Sequence, residues 1–211
     1  MTNSINSLEN EFVQYSSSLG KEILYKPSLE VKNILDPNIQ EILQKMRIQL
    51  NGKGIGLAAN QIGFPLQIFM IEFNNENERY KHLNFESIPN QVYINPRIVN
   101  TSKERVSFWH GCLSAIGKPR GLVATYKWLD FEAFDENGNF KSGRLDGIGS
   151  VIFQHEFRHL LGSCYFDHAK EFLEYEKLNN LFLSGVLNPY EIVSEEVPLL
   201  LADYIVGTKI S

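Results

Sequence analysis

The chain has 211 residues, 43% of them hydrophobic, which is enough to bury one sizeable core and short enough for a single domain. Its formal net charge of −5 comes without any Lys/Arg run, so nothing suggests a nucleic-acid surface or an anionic membrane as partner. No apolar stretch nears the roughly 18 residues that span a bilayer, Met1 to Ser18 does not read as a secretory signal, and the 2 cysteines are too few for a disulfide scaffold. A cytoplasmic protein with reduced thiols is expected.

Residues 1 to about 20 read as a loose lead-in. Asp36 then caps a helix whose first turn holds Pro37, with Ile39, Ile42, Leu43, Met46 and Leu50 at helical spacing and Asn51-Gly52 as its stop. A glycine-rich turn, Gly54-Ile55-Gly56, follows. Pro65 to Phe73 and Gln91 to Ile94 read as strands. A long strand, Leu122 to Phe134, runs into Asp135-Glu136-Asn137-Gly138, a hairpin signal. Asp146 or Gly147 opens a second helix that stops at Gly162, and a third is expected from about Lys170 to Ser184. Strands followed by a central helix imply an α+β fold, with antiparallel β-sheets packed around that helix.

The strongest chemical signal is His155-Glu156-Phe157-Arg158-His159. Two histidines four residues apart lie one turn apart on one helix face and can hold one metal ion. Glu156 is rotated by about 100°, so it misses the metal yet can exchange a proton with a water beside it. Ile148 and Ile152 share the histidines' face, which therefore points inward, where an unliganded histidine pair would need other partners. The bland alternative is a buried helix that happens to carry two histidines. Position 165 is Tyr165, so the third histidine of the HExxHxxGxxH peptidases is missing and another ligand must come from elsewhere. Cys112 in His110-Gly111-Cys112-Leu113-Ser114 is a candidate, because a thiolate with two imidazoles suits a borderline divalent metal and leaves a fourth position open. A lone cysteine is also commonly just a small buried hydrophobe. Gly54 to Gln61 reads as a segment of close backbone approach; it lacks the features of a phosphate-binding loop.

Together GIGLAANQ, HGCLS and HEFRH, in this order, resemble the GxGLAAxQ, EGCLS and HExDH segments of the peptide deformylases. The resemblance continues through Ile62-Gly63-Phe64-Pro65, Ile94-Asn95-Pro96, Arg120-Gly121 and His159-Leu160-Leu161-Gly162, from about Lys21 to His168. It implies a metal-dependent hydrolase that removes the N-formyl group from the first methionine of new polypeptides. The metal ligands would be Cys112, His155 and His159, and Glu156 the general acid/base. Gln61 and the backbone N–H of Leu113 would hold the oxyanion, and Gly56 the peptide backbone. An apolar pocket for the methionine side chain is expected from Ile55, Phe108, Leu113, Val151 and Ile152, with His110 at its rim. The cofactor implied is one divalent metal ion per chain, Fe2+ by family habit, with Zn2+, Ni2+ or Co2+ as substitutes. The partners implied are N-formylmethionyl peptides; the sequence does not support ribosome contact, nucleic acid or membrane. In this frame 1–20 is the lead-in, 21–169 the catalytic domain and 170–211 a C-terminal helix and tail packed on it.

Three positions depart from the family pattern. His110 stands where the family has Glu, Arg158 where it has Asp, and Thr125 where it usually has Arg. Arg158, about 60° around the helix from His155, is either a solvated helix-edge residue or added positive charge that tunes the metal. His110 either lines the pocket rim or adds a ligand. The departures keep two alternatives open: a paralogue with shifted substrate preference, and a weakened homologue that binds formylated or modified N-termini without turnover.

Overall fold

The computed structural model describes residues 12–77 and 85–210; of the lead-in expected at 1–20, residues 1–11 lie outside the described residues. The chain opens with a short helix α1 (Ser18–Ile23) and the expected helix α2 (Pro37–Leu50). In α2 the Asp36 side chain accepts from the backbone N–H of Asn38 at 2.9 Å, and Ile42, Leu43, Met46 and Leu50 are buried. Strands β1 (Gly56–Ala58), β2 (Ile68–Phe73), β3 (Ile88–Thr101), β6 (Trp128–Phe134) and β7 (Phe140–Asp146) form one antiparallel sheet in the order β1-β2-β3-β6-β7. A second antiparallel sheet has the order β8-β5-β4-β9, from β4 (Arg105–His110), β5 (Arg120–Tyr126), β8 (Glu171–Leu173) and β9 (Glu191–Val193).

Helix α3 (Gly147–Leu160) packs against β1, β2, β6 and β7 of the first sheet and β5 of the second, and every residue from Ile148 to Leu160 is buried. The α+β architecture with a central helix is therefore the one expected. Phe153 and Phe157 anchor it in a core with Phe69, Tyr93 and Phe131. The helix ends where Gly162 takes a left-handed φ of +79°; a Cβ there would meet the Lys26 backbone at 2.7 Å, so glycine is required. No helix among the described residues is long and apolar enough to cross a membrane.

Three expectations need correction, and one strand was missed. The segment Leu122 to Phe134 is two strands in different sheets, broken at Lys127. The cause lies on α3: the Gln154 side chain accepts from the Tyr126 N–H at 2.8 Å and donates to its carbonyl at 2.9 Å, and Ser150 donates to the same carbonyl. Helix side chains thus take backbone groups that a continuing ladder would have used. The third helix is shorter than expected. Glu171–Leu173 fills the edge beside Arg120–Leu122 as β8, and α4 begins only at Tyr175 and ends at Leu183. Strand β4, which carries Phe108 and His110, was not read from the sequence at all. Residues 12–20, read as loose, are packed: Phe12 and Tyr15 are buried.

Candidate active site

Three elements converge beside α3. Strand β1 and the 3₁₀ turn after it (Ala59–Ile62) bring Gly56 and Gln61, the loop leaving β4 brings Cys112 and Leu113, and α3 supplies His155, Glu156 and His159. One donor atom from each of Cys112, His155 and His159 lies within 4.8 Å of the others. Cys112 Sγ is 3.3 Å from His159 Nε2. The Gln61 side chain donates to Cys112 Sγ at 3.3 Å, as does the backbone N–H of Ser114. Gln61 is itself fixed, because its Oε1 accepts from the Ala58 N–H at 2.7 Å.

Burial alone would push the Cys112 thiol up. The hydrogen bond to Cys164 and the adjoining His159 and His155 outweigh burial and hold it well below its ordinary value. A thiolate is the form that binds metal. Burial would lower the His159 pKa, but the neighbouring Cys112 raises it; the two form a thiolate–imidazole pair. A thiolate and two imidazoles around a common point, with the cavity on the open side, fit a four-coordinate divalent ion that keeps one position free.

That cavity has a volume of about 450 Å³. Its walls include Gly56, Gln61, Leu113, His155 and Glu156, together with Ile55, Phe108, His110, Val151 and Ile152. His159 is fully buried behind it. Glu156 is 3% exposed, and its Oε2 has no hydrogen-bond partner. Burial raises its carboxyl to about 8, with Cys112 adding to the rise and His159 opposing it. Gly56 lies so close that a Cβ there would sit 2.3 Å from Glu156 Oε1.

Two of the three departures from the family pattern, His110 and Arg158, resolve into specific contacts. The His110 ring lies nearly coplanar with that of His155, their planes 5° apart and their centroids 5.2 Å apart, and the two Nδ1 atoms meet edge to edge at hydrogen-bond distance, 2.9 Å. Burial, then the neighbouring His155 and Arg120, holds the His110 pKa well below its ordinary value, so the ring is neutral. His110 is a hydrogen-bond partner of His155 and adds no positive charge. Arg158 is not a solvated edge residue. It is 4% exposed and forms a two-pronged ion pair with Asp203, its Nη1 bonding Oδ1 and its Nη2 donating to Oδ2 at 3.1 Å. Thr125 is fully buried.

A buried helix bearing HExxH, completed by a cysteine from a neighbouring loop and opening on an apolar cavity, defines a metal-dependent hydrolase site. The polypeptide deformylase family model matches residues 13–174. Peptide deformylase 2 of Nostoc sp. is 34% identical over 167 residues, covering 76% of this chain and 91% of that one. The peptide deformylase structure from Plasmodium falciparum is 30% identical with a TM-score of 0.64, covering 83% of this chain and 94% of that one. The Ehrlichia chaffeensis enzyme in complex with actinonin is 26% identical with the same TM-score of 0.64, covering 83% and 94%. The chain belongs to the polypeptide deformylase family, hydrolases that remove the N-formyl group from nascent peptides.

Some partners in the site were not assigned from the sequence. Asn60 and Ser114 lie within the motif segments but were given no role; Asn60 donates to the His159 carbonyl at 2.8 Å, the Ser114 N–H donates to Cys112 Sγ at 3.3 Å, and Cys164, outside those segments, neighbours the thiolate. Tyr15 contacts His159 from 144 positions away. No local spacing announces such partners.

Proposed function

We propose that this chain removes formyl groups from N-formylmethionyl peptides with Fe2+ as its native metal, and that the expected residues divide the work as follows. Cys112, His155 and His159 would hold the ion. A divalent cation bound there would supply a Lewis acid for water and for the formyl carbonyl, and its charge would lower the Glu156 pKa. Glu156 takes a proton from the attacking water, whose oxygen adds to the formyl carbon. The Gln61 amide and the backbone N–H of Leu113 receive the negative charge that develops on the formyl oxygen. Glu156 then passes its proton to the peptide nitrogen, the C–N bond breaks, and formate leaves with a free amine behind. Gly56 leaves room for the substrate backbone, and Ile55, Phe108, Leu113, Val151 and Ile152 take the methionine side chain while His110 borders it.

The observation that carries this reading is the convergence of three metal donors and one buried carboxyl, whose Oε2 has no hydrogen-bond partner, on a single, mostly apolar cavity. Formate release from formyl-Met-Ala-Ser tests it, alongside peptides beginning with formyl-norleucine, formyl-alanine and formyl-aspartate. A missing methylene is worth about 1–3 kcal/mol, so rates should fall in steps from Met and norleucine to Ala, with Asp lowest. Equal rates on formyl-Met and formyl-Asp peptides would favour a paralogue of other specificity. Binding without release of formate would make the chain a recognition protein.

A further inference from the structure

We propose that Tyr15, on the segment that precedes α1, is a positioning residue for the metal ligand His159, and that residues 13–15 act as a strap across all three motif segments. The inference rests on the metal-hydrolase reading above. The Tyr15 hydroxyl is 2.8 Å from His159 Nδ1 and 2.8 Å from the carbonyl oxygen of Ser163. A carbonyl can only accept, so the single hydroxyl proton goes to Ser163. The hydroxyl oxygen must then accept from His159, and His159 carries its proton on Nδ1. That leaves the lone pair of Nε2, the atom 3.3 Å from Cys112 Sγ, for the metal. Holding the remote N–H of a ligating histidine fixes both its tautomer and its ring orientation.

The tyrosine has little freedom to do otherwise. It is 4% exposed, and its ring is met edge-on by Tyr25 at 5.0 Å and Phe166 at 5.1 Å. Its backbone is tied down as well. Val13 donates to the Gln61 carbonyl at 2.8 Å, and Tyr15 to the Ser114 carbonyl at 2.9 Å. The Gln14 side chain donates to the Leu113 carbonyl at 3.0 Å and accepts from the Ile116 N–H at 3.1 Å. Three consecutive residues therefore bridge the turn carrying Gln61, the loop carrying Cys112 and the end of the helix carrying His159. His155 has a different holder, His110, so the two histidine ligands are fixed independently.

The test uses the zinc-loaded full chain. Tyr15→Phe keeps the ring and its two edge contacts and removes only the hydroxyl. Zinc affinity, measured by competition with a chelator, should fall about 10- to 100-fold. Tyr25→Leu serves as a packing control: it should lower Tm while leaving zinc affinity within about twofold of wild type. In the zinc-loaded wild type, nitrogen-15 spectra should show the His159 proton on Nδ1. Zinc affinity unchanged in Tyr15→Phe overturns the inference, as does an equal loss in Tyr25→Leu. If Tyr15→Phe does not fold, the spectrum decides alone, and a His159 metal-bound through Nδ1 would refute the proposal. A wild type that neither binds zinc nor releases formate would instead sink the hydrolase reading. A wild type that does both beside an unaffected Tyr15→Phe sinks only this one.

Discussion

Glu156 illustrates how a working residue opposes the stability of its own fold. Without metal, burial keeps its carboxyl protonated up to about pH 8, whereas in the unfolded chain the proton leaves near the ordinary 4.5. The folded state thus binds the proton more tightly. The stability this lends is full below about 4.5 and is lost as pH rises toward 8. Glu156→Gln is neutral throughout and escapes the loss. Metal-free Glu156→Gln should therefore melt above metal-free wild type at pH 8, with the gap closing toward pH 5. One kcal/mol is about 2–4 °C for a chain of this size, so thermal scans at several pH values resolve it. A gap that does not shrink on acidification would mean that the carboxyl is not its cause. Gly56 belongs to the same argument, because it has no left-handed φ and its backbone would accept alanine. The atoms nearest the new Cβ belong to Glu156, with its Oε1 at 2.3 Å, so that side chain has to move. Gly56→Ala should retain metal and fold and lose on the order of a hundredfold in kcat, since about 1 Å of misplacement has that cost. Wild-type turnover in this variant would show that the Glu156 position is not critical.

Among the elements, α3 has to be solvent-free around the site and still carry Arg158 next to a ligand. The C-terminal segment answers this with Asp203, whose side chain stays 61% exposed while that of Arg158 is 5% exposed. Asp203→Asn leaves a buried guanidinium without its counter-charge. The expected loss is about 1–3 kcal/mol in denaturant unfolding, below the roughly 3–5 kcal/mol of a fully buried pair because Asp203 keeps much of its water. Arg158→Met should lose less than Asp203→Asn, since it removes the charge together with its need for a partner. Equal stability of Asp203→Asn and wild type would contradict this account. The helices also show what was legible beforehand. Asp36-Pro37 and the spacing from Ile39 to Leu50 announce α2, and the spacing of His155 and His159 announces both α3 and two metal donors. These signals are local. The break at Lys127 was not visible, because Gln154 and Ser150 cause it from another element. Nor was β8, because Glu171–Leu173 is extended only by virtue of the open edge at β5.

For the whole molecule, the fold class followed from strands preceding one helix, while the layout of the site depends on contacts between distant parts of the chain. The helix spacing alone left Cys112 a candidate; its place beside His159 comes from the loop that leaves β4. The hydrogen bond of His110 to His155, the bond of Tyr15 to His159 and the pair of Arg158 with Asp203 join residues 45, 144 and 45 positions apart. No periodicity encodes these separations. They show that the two charged-looking departures from the family pattern are partnered within this fold: His110 is neutral, and Arg158 is matched by Asp203. The account therefore holds that the site is complete for catalysis, with Glu156 acting on protons and Cys112, His155 and His159 on the metal. The most direct test measures metal per chain and formate released from formyl-Met-Ala-Ser, both under anaerobic conditions, for wild type, Cys112→Ala and Glu156→Gln. The account predicts one metal and turnover in wild type, and loss of stoichiometric metal in Cys112→Ala. It predicts full metal in Glu156→Gln with turnover reduced on the order of a hundredfold or more. Full metal in Cys112→Ala, or near-normal formate release by Glu156→Gln, would contradict it.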